Sequence, residues 1–113
     1  MITQEGIDRI LEYVNEHYEH AEMGRHPNPK FTHAYRTILE GDTLKTEVFL
    51  SIFHGGSFNH VTAYLKCRTV SKDSPFIEGS EIKKEIFSLE ELKELEPKAK
   101  ELEQFTLNLG LWK

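Results

Sequence analysis

Residues 31–68 read FTHAYRTILEGDTLKTEVFLSIFHGGSFNHVTAYLKCR and contain three β-rich runs separated by two glycine-containing breaks. Gly41-Asp42 and Gly55-Gly56 both suit the two-residue turns that join neighbouring antiparallel strands. Two-residue turns bring consecutive strands side by side, so each strand is expected to pair with the strand next to it in the sequence. The sequence therefore predicts a meander with strands at about 31–40, 44–54 and 57–71.

The two turns also predict which residues face each other across the strands. With Gly41-Asp42 as the loop, the predicted pairs are Leu39 with Leu44, Thr37 with Thr46, Tyr35 with Val48 and His33 with Leu50. With Gly55-Gly56 as the loop, they are Leu50 with Val61, Val48 with Ala63, Thr46 with Leu65 and Leu44 with Cys67. A slip by one residue would move every side chain of a strand to the other face. Both turns place the same middle-strand residues on one apolar face, which favours this register.

The opposite face of the predicted sheet combines aromatic and basic side chains. Arg36 faces Glu47 there, as a cross-strand ion pair. Exposed rings among Lys and Arg are typical of interaction surfaces, and they can also stack on bases and neutralise phosphates. If a helix covers this face, the rings instead form a second half of the core. The candidate binding residues are Arg36, Lys45, Phe49, Phe53, Phe58, His60, Tyr64, Lys66 and Arg68.

The segment before the strands predicts an amphipathic helix over about residues 3–23. Thr3 can cap its first turn, and Gly24 can end it. The apolar positions follow the spacing of one helical face, and they are Ile7, Ile10, Leu11, Val14, Tyr18 and Ala21.

The segment after the strands predicts a fourth strand at about 81–87 and a second helix at about 89–105. Ser88 and Glu91 have the spacing of a capping box, so the helix begins after Ser88. Pro97 must kink this helix or restart it, because proline fits only the first turn. A short apolar tail follows, with Leu107, Leu109, Leu111 and Trp112.

These elements predict one α+β domain over residues 1–113: an N-terminal amphipathic helix, a three- to four-stranded antiparallel meander, a C-terminal kinked helix and a short apolar tail. A chain of 113 residues can bury roughly two-thirds of its unfolded surface, enough for one core. No apolar run is long enough to span a membrane, and the first residues do not form a secretory signal. The single cysteine predicts a reduced, cytoplasmic protein.

No complete catalytic or cofactor-binding motif is present in the sequence. Glycine-rich phosphate loops and the Gly-x-Ser-x-Gly nucleophile motif are absent. Cys67 lies on the predicted apolar face, which favours a core residue over a nucleophile. His17 and His20 supply at most half of a zinc site, and Glu16 lies beside them. We therefore predict neither cofactor nor bound metal, and a metal-dependent enzyme built on these three residues is the third alternative.

The formal net charge is −5, and the charged residues are unevenly distributed along the sequence. Residues 25–72 carry an excess of bases, whereas residues 1–24 and 73–113 carry an excess of acids. The leading hypothesis is a small intracellular protein-interaction module without catalytic activity, such as an inhibitor, an adaptor or an immunity-type binder. Its partner would be another protein or a second copy of the chain. The alternative is a nucleic-acid-binding module whose affinity falls with salt; it would use Arg36, Lys45, Phe49, Tyr64, Lys66 and Arg68.

Overall fold

The computed structural model describes residues 2–22, 30–54, 59–69 and 81–108, and it confirms the α+β class. The helices are α1 (Gln4–His17), α2 (Leu89–Leu95) and α3 (Ala99–Asn108), with one 3₁₀ turn, Glu96–Lys98, between α2 and α3. The strands are β1 (Glu19–Glu22), β2 (Lys30–Glu40), β3 (Leu44–His54), β4 (His60–Thr69) and β5 (Glu81–Ile86). They form one antiparallel sheet in sequence order. Within the described ranges, no helix is long and apolar enough to cross a membrane.

The helices begin where the local sequence signals place them. Thr3 Oγ1 accepts a hydrogen bond from the Gly6 backbone N–H at 3.0 Å. Ser88 Oγ accepts one from the Glu91 N–H at 3.3 Å, and the Glu91 carboxylate accepts one from the Phe87 N–H. This pair of bonds is a capping box, and each bond satisfies a backbone donor that has no partner within the helix. Pro97 lies at the start of the 3₁₀ turn, so it restarts the C-terminal helix as expected.

Helix α1 is shorter than its periodicity predicts, because it ends at His17 rather than near residue 23. Tyr18 adopts an extended backbone (φ −118°, ψ 153°) and is buried. The next four residues form β1, which pairs with β2. Contacts with distant residues therefore override a helical spacing that is only local, since intrinsic propensity is a weak preference.

The predicted register between β2 and β3 is wrong. The Gly41 N–H donates to the Leu44 carbonyl at 2.9 Å, so the two-residue loop is Asp42-Thr43. This loop shifts the pairing by two residues from the prediction, and a β-bulge between Thr37 and Leu39 then moves it back by one, which leaves a net shift of one residue. Beyond the bulge, β2 pairs with β3 in a register that reverses the predicted faces, with Ala34 opposite Leu50 and Arg36 opposite Val48.

The bulge exchanges the faces of Arg36 and Tyr35. Arg36 lies on the side of the sheet that the helices cover, where its Nη1 lies 2.8 Å from Glu96 Oε2. Its predicted pairing with Glu47 is therefore wrong, and Arg36 does not lie on the face on which the candidate binding residues were predicted. Tyr35, predicted to face the core together with His33, is instead 41% exposed. One extra residue in a strand is sufficient for this exchange, because successive side chains point to opposite faces.

The register between β3 and β4 is shifted by two residues from the prediction, and this shift preserves the faces. Leu50 pairs with Ala63 instead of Val61. Since the side-chain period of a strand is two residues, the predicted face of every β3 and β4 side chain remains correct. Several predicted features lie outside the described residues, namely the Gly55-Gly56 turn, Phe58, the end of the third predicted strand at 70–71 and the tail from residue 109.

All three helices pack on one face of the sheet and share a single core with it. The helices contribute Ile7, Ile10, Val14, Leu89, Leu92, Leu95, Ala99 and Leu102. The strands contribute Ala34, Leu44, Val48, Leu50, Ile52, Val61, Ala63, Leu65, Cys67 and Ile86. Every one of these strand residues lies on the same face by the observed pairing. In the part of the chain that the structure describes, the opposite face therefore has no helix over it.

Candidate functional site

The open face is the sheet surface opposite the helices. The strand pairing places seven predicted binding residues on it, namely Lys45, Phe49, Phe53, His60, Tyr64, Lys66 and Arg68. The same pairing adds residues that were not among the predicted binding residues, namely Glu19, Phe31, His33, Tyr35, Glu40, Glu47, Ser51, Thr62, Glu81, Lys83 and Glu85. Arg36 is not part of the open face, and Phe58 lies outside the described residues.

A central row of paired residues crosses all five strands of the open face. From β1 to β5 it consists of Glu19, Tyr35, Phe49, Tyr64 and Lys83. The rings of Tyr35 and Phe49 are stacked, with centroids 6.3 Å apart. The nearby Glu19 carboxylate raises the pKa of Tyr35. At the other end of the row, Lys83 Nζ lies 5.7 Å from the Tyr64 ring centroid. The row thus has an acid at one end, rings in the middle and a base at the other end.

A second group of rings lies toward the end of β3. The Phe31 and Phe53 centroids are 4.7 Å apart, and Phe53 is 39% exposed. On the neighbouring strands, His60 Nδ1 lies 2.9 Å from Glu85 Oε1. This end of the open face therefore presents apolar rings next to a polar pair of side chains.

Three basic residues of the open face, Lys45, Lys66 and Arg68, lie beside carboxylates. Glu47 is only 3% exposed, and its Oε1 lies 2.7 Å from Arg68 Nε. Lys45 Nζ lies 3.8 Å from the other oxygen of the same carboxylate. Lys66 Nζ lies 3.9 Å from Glu81 Oε2, and 5.2 Å from the centroid of the Phe49 ring. The positive charge that the sequence suggested is therefore largely balanced within the face.

Arg36 belongs to a polar network that the sequence analysis missed. Glu96 accepts hydrogen bonds from the hydroxyls of Tyr13 at 2.7 Å and Tyr18 at 3.0 Å, and from Arg36 Nη1 at 2.8 Å. Burial and the nearby Glu96 carboxylate raise the pKa of Tyr18 well above its ordinary value. The network joins α1, β2 and the 3₁₀ turn, so it holds the helices on their face of the sheet. Its members lie far apart in the sequence, which explains why no local motif indicated it.

His17, the residue central to the metal-enzyme alternative, lies between two surface depressions. One has a volume of about 240 Å³ and includes Tyr13 and Lys93, and the other has about 290 Å³ and includes Arg36. His17 Nε2 is 3.8 Å from Glu16 Oε2. Among residues 2–22, 30–54, 59–69 and 81–108, no three His, Cys, Asp or Glu residues are grouped so that they could hold a metal. No observation on these residues favours the metal-dependent enzyme.

Comparison with known proteins does not assign the chain to a family, since no family model, curated protein or solved structure matches it. The fold and the open face define only a structural class, an α+β domain with helices on one face of an antiparallel sheet. Because a fold of this kind does not imply a function, the function depends on the chemistry of the open face.

Proposed function

We propose that this protein is a protein-interaction module that binds a partner protein through the open face. One observation carries this proposal: the described helices pack on the opposite face and leave the rings of the open face accessible. Clustered exposed rings mark interaction surfaces, and Tyr and Phe are enriched at interfaces between proteins. An intracellular inhibitor, adaptor or immunity-type binder would use such a surface without any catalytic group.

The charge of the open face favours a protein over a nucleic acid as the partner. A nucleic-acid site needs cations that neutralise phosphates and release their counterions. Lys45 and Arg68 already contact Glu47, and Lys66 lies beside Glu81. Arg36 lies on the face that the helices cover, where it pairs with Glu96. The open face therefore has one cation fewer than predicted, which weakens the nucleic-acid alternative further.

The proposal predicts that replacing Phe49 and Tyr64 by Ser together abolishes partner capture while the protein stays folded. Both rings are only partly buried on the open face, so their loss removes contact area for the partner rather than core packing. We expect affinity to fall at least about tenfold, since aromatic residues at the centre of an interface dominate binding. The measurement is capture from nuclease-treated lysate, followed by mass spectrometry, with circular dichroism as the folding check.

The matched control is Phe105→Ser, which removes an exposed ring (49% exposed) from α3. This variant should capture the same protein as the unaltered chain. Equal capture by the Phe49/Tyr64 double variant would contradict the proposal. An eluate of nucleic acid that disappears as salt is raised would favour the nucleic-acid alternative instead, and unfolding of the double variant would show that the rings are core residues.

A further inference from the structure

We infer that the partner of the open face is a second copy of this chain, packed face to face in a two-fold symmetric dimer. This inference rests on the proposed function, because it uses the same surface. The supporting observation is the order of charges and rings in the central row. This order makes the row of one copy complementary to the row of a second copy.

The self-complementarity follows from symmetry. A two-fold axis that lies between two open faces and runs along β3 exchanges β1 with β5 and β2 with β4, and it places β3 on β3. Glu19 of one copy then faces Lys83 of the second copy. In the same row Tyr35 faces Tyr64 of the second copy, and the two Phe49 rings meet at the axis. Each end of the row therefore gains an ion pair, and the rings pack in the middle.

The two charges at the ends of the row are available for this pairing. The side chains of Glu19 and Lys83 are both exposed. Among the described residues neither forms an ion pair, and each instead contacts the ring beside it in its own row. The second copy presents a base, three rings and an acid in the order that matches this row.

The size of the open face also fits a dimer. The three central strands have 11, 11 and 10 residues, and the edge strands have 4 and 6. At about 3.4 Å per residue and about 4.8 Å between strands, this gives a face of roughly 700 Å². A standard protein interface buries about 800 Å² on each partner. Two sheets packed face to face lie about 10 Å apart and keep their strand directions within about 30° of each other. The axis along β3 meets this condition, because it sets the β3 strands of the two copies parallel.

Two charge reversals, Glu19→Lys and Lys83→Glu, test this dimer directly. The unaltered chain should sediment as a dimer at micromolar concentration. Each single variant places like charges at both ends of the row, so we expect its dimer affinity to fall at least about tenfold. An equimolar mixture of the two variants should recover a dimer with one chain of each kind. In that mixture the introduced lysine faces the introduced glutamate, and the native Lys83 faces the native Glu19.

The control variant is Glu94→Lys, a charge reversal at an exposed position of α2, and it should remain dimeric. Native mass spectrometry of the mixture identifies the composition of the dimer. A monomeric unaltered chain, a dimer that persists in both single variants, or a mixture that stays monomeric would each overturn the inference. If the chain is monomeric but captures another protein through Phe49 and Tyr64, the proposed function stands without the second copy. If it is monomeric and captures nothing, both fail.

Discussion

Replacing Ala34 by Lys should lower the free energy of unfolding by about 3 kcal/mol or more, whereas replacing the adjacent Tyr35 by Lys should change it by less than about 1 kcal/mol. Ala34 is fully buried beneath the helices, opposite Leu50. A lysine there would place an unpaired charge in the core, near Arg36 on the same face of β2. Tyr35 is exposed on the open face and lies beside Glu19, so a lysine at this position remains solvated and gains an opposite charge.

Urea denaturation of the two variants measures both free energies under identical conditions. Because the two positions are adjacent and the introduced side chain is the same, the difference between the two free energies of unfolding depends mainly on which face of the sheet the lysine occupies. A register without the bulge would turn Tyr35 inward and Ala34 outward. A larger loss for Tyr35→Lys than for Ala34→Lys would therefore contradict the observed register and the composition of the open face.

The substitution Glu96→Ala should lower the free energy of unfolding by about 2–4 kcal/mol. The Glu96 carboxylate accepts hydrogen bonds from Tyr13, Tyr18 and Arg36. Its removal takes the acceptor from the buried Tyr18 hydroxyl and leaves the half-buried Arg36 Nη1 with the Tyr13 hydroxyl at 3.2 Å as its described acceptor. Buried donors without partners cost about 1–3 kcal/mol, and more when they are charged. Because the Arg36 side chain is partly exposed, water can still solvate its charge. We therefore expect a smaller loss of unfolding free energy than for a fully buried ion pair.

The matched control is Glu94→Ala, which removes an exposed carboxylate two residues earlier in the chain and should change stability by less than about 0.5 kcal/mol. Thermal or urea unfolding of both variants makes the comparison. If the two variants lose the same small amount, the network does not hold the helices against the sheet. The apolar core alone would then have to explain why the helices cover one face of the sheet and leave the other open.

The features that could be predicted from the sequence depend on local signals. Thr3, Ser88 with Glu91, and Pro97 each act within one turn of helix, and all of them lie where expected. The faces of β3 and β4 were also predicted correctly, since an error of two residues in pairing leaves alternation unchanged. Seven candidate residues on these two strands therefore share the open face as predicted.

The features that could not be predicted depend on single inserted residues or distant contacts. The bulge between Thr37 and Leu39 has no distinctive residue type, yet it reverses the faces of Tyr35 and Arg36. Tyr18 lies just after the end of α1, and its hydroxyl donates a hydrogen bond to Glu96, which is 78 residues away in the sequence. Lys83 joins the central row only through the pairing of β4 with β5, and no short turn motif in the sequence fixes that register. Glu19, Tyr35 and Lys83 could therefore not be assigned to the candidate site beforehand.

Oxidative footprinting with hydroxyl radicals tests most directly whether the open face is the binding surface. The rates of modification of Tyr35, Phe49 and Tyr64 would be compared between the purified chain at high dilution and the chain at micromolar concentration in nuclease-treated lysate. Phe105, exposed on α3, serves as the internal reference. We predict that the three rings are protected in the lysate while Phe105 is modified at an unchanged rate. Equal modification of all four rings in both samples would contradict a protein-binding role for the open face.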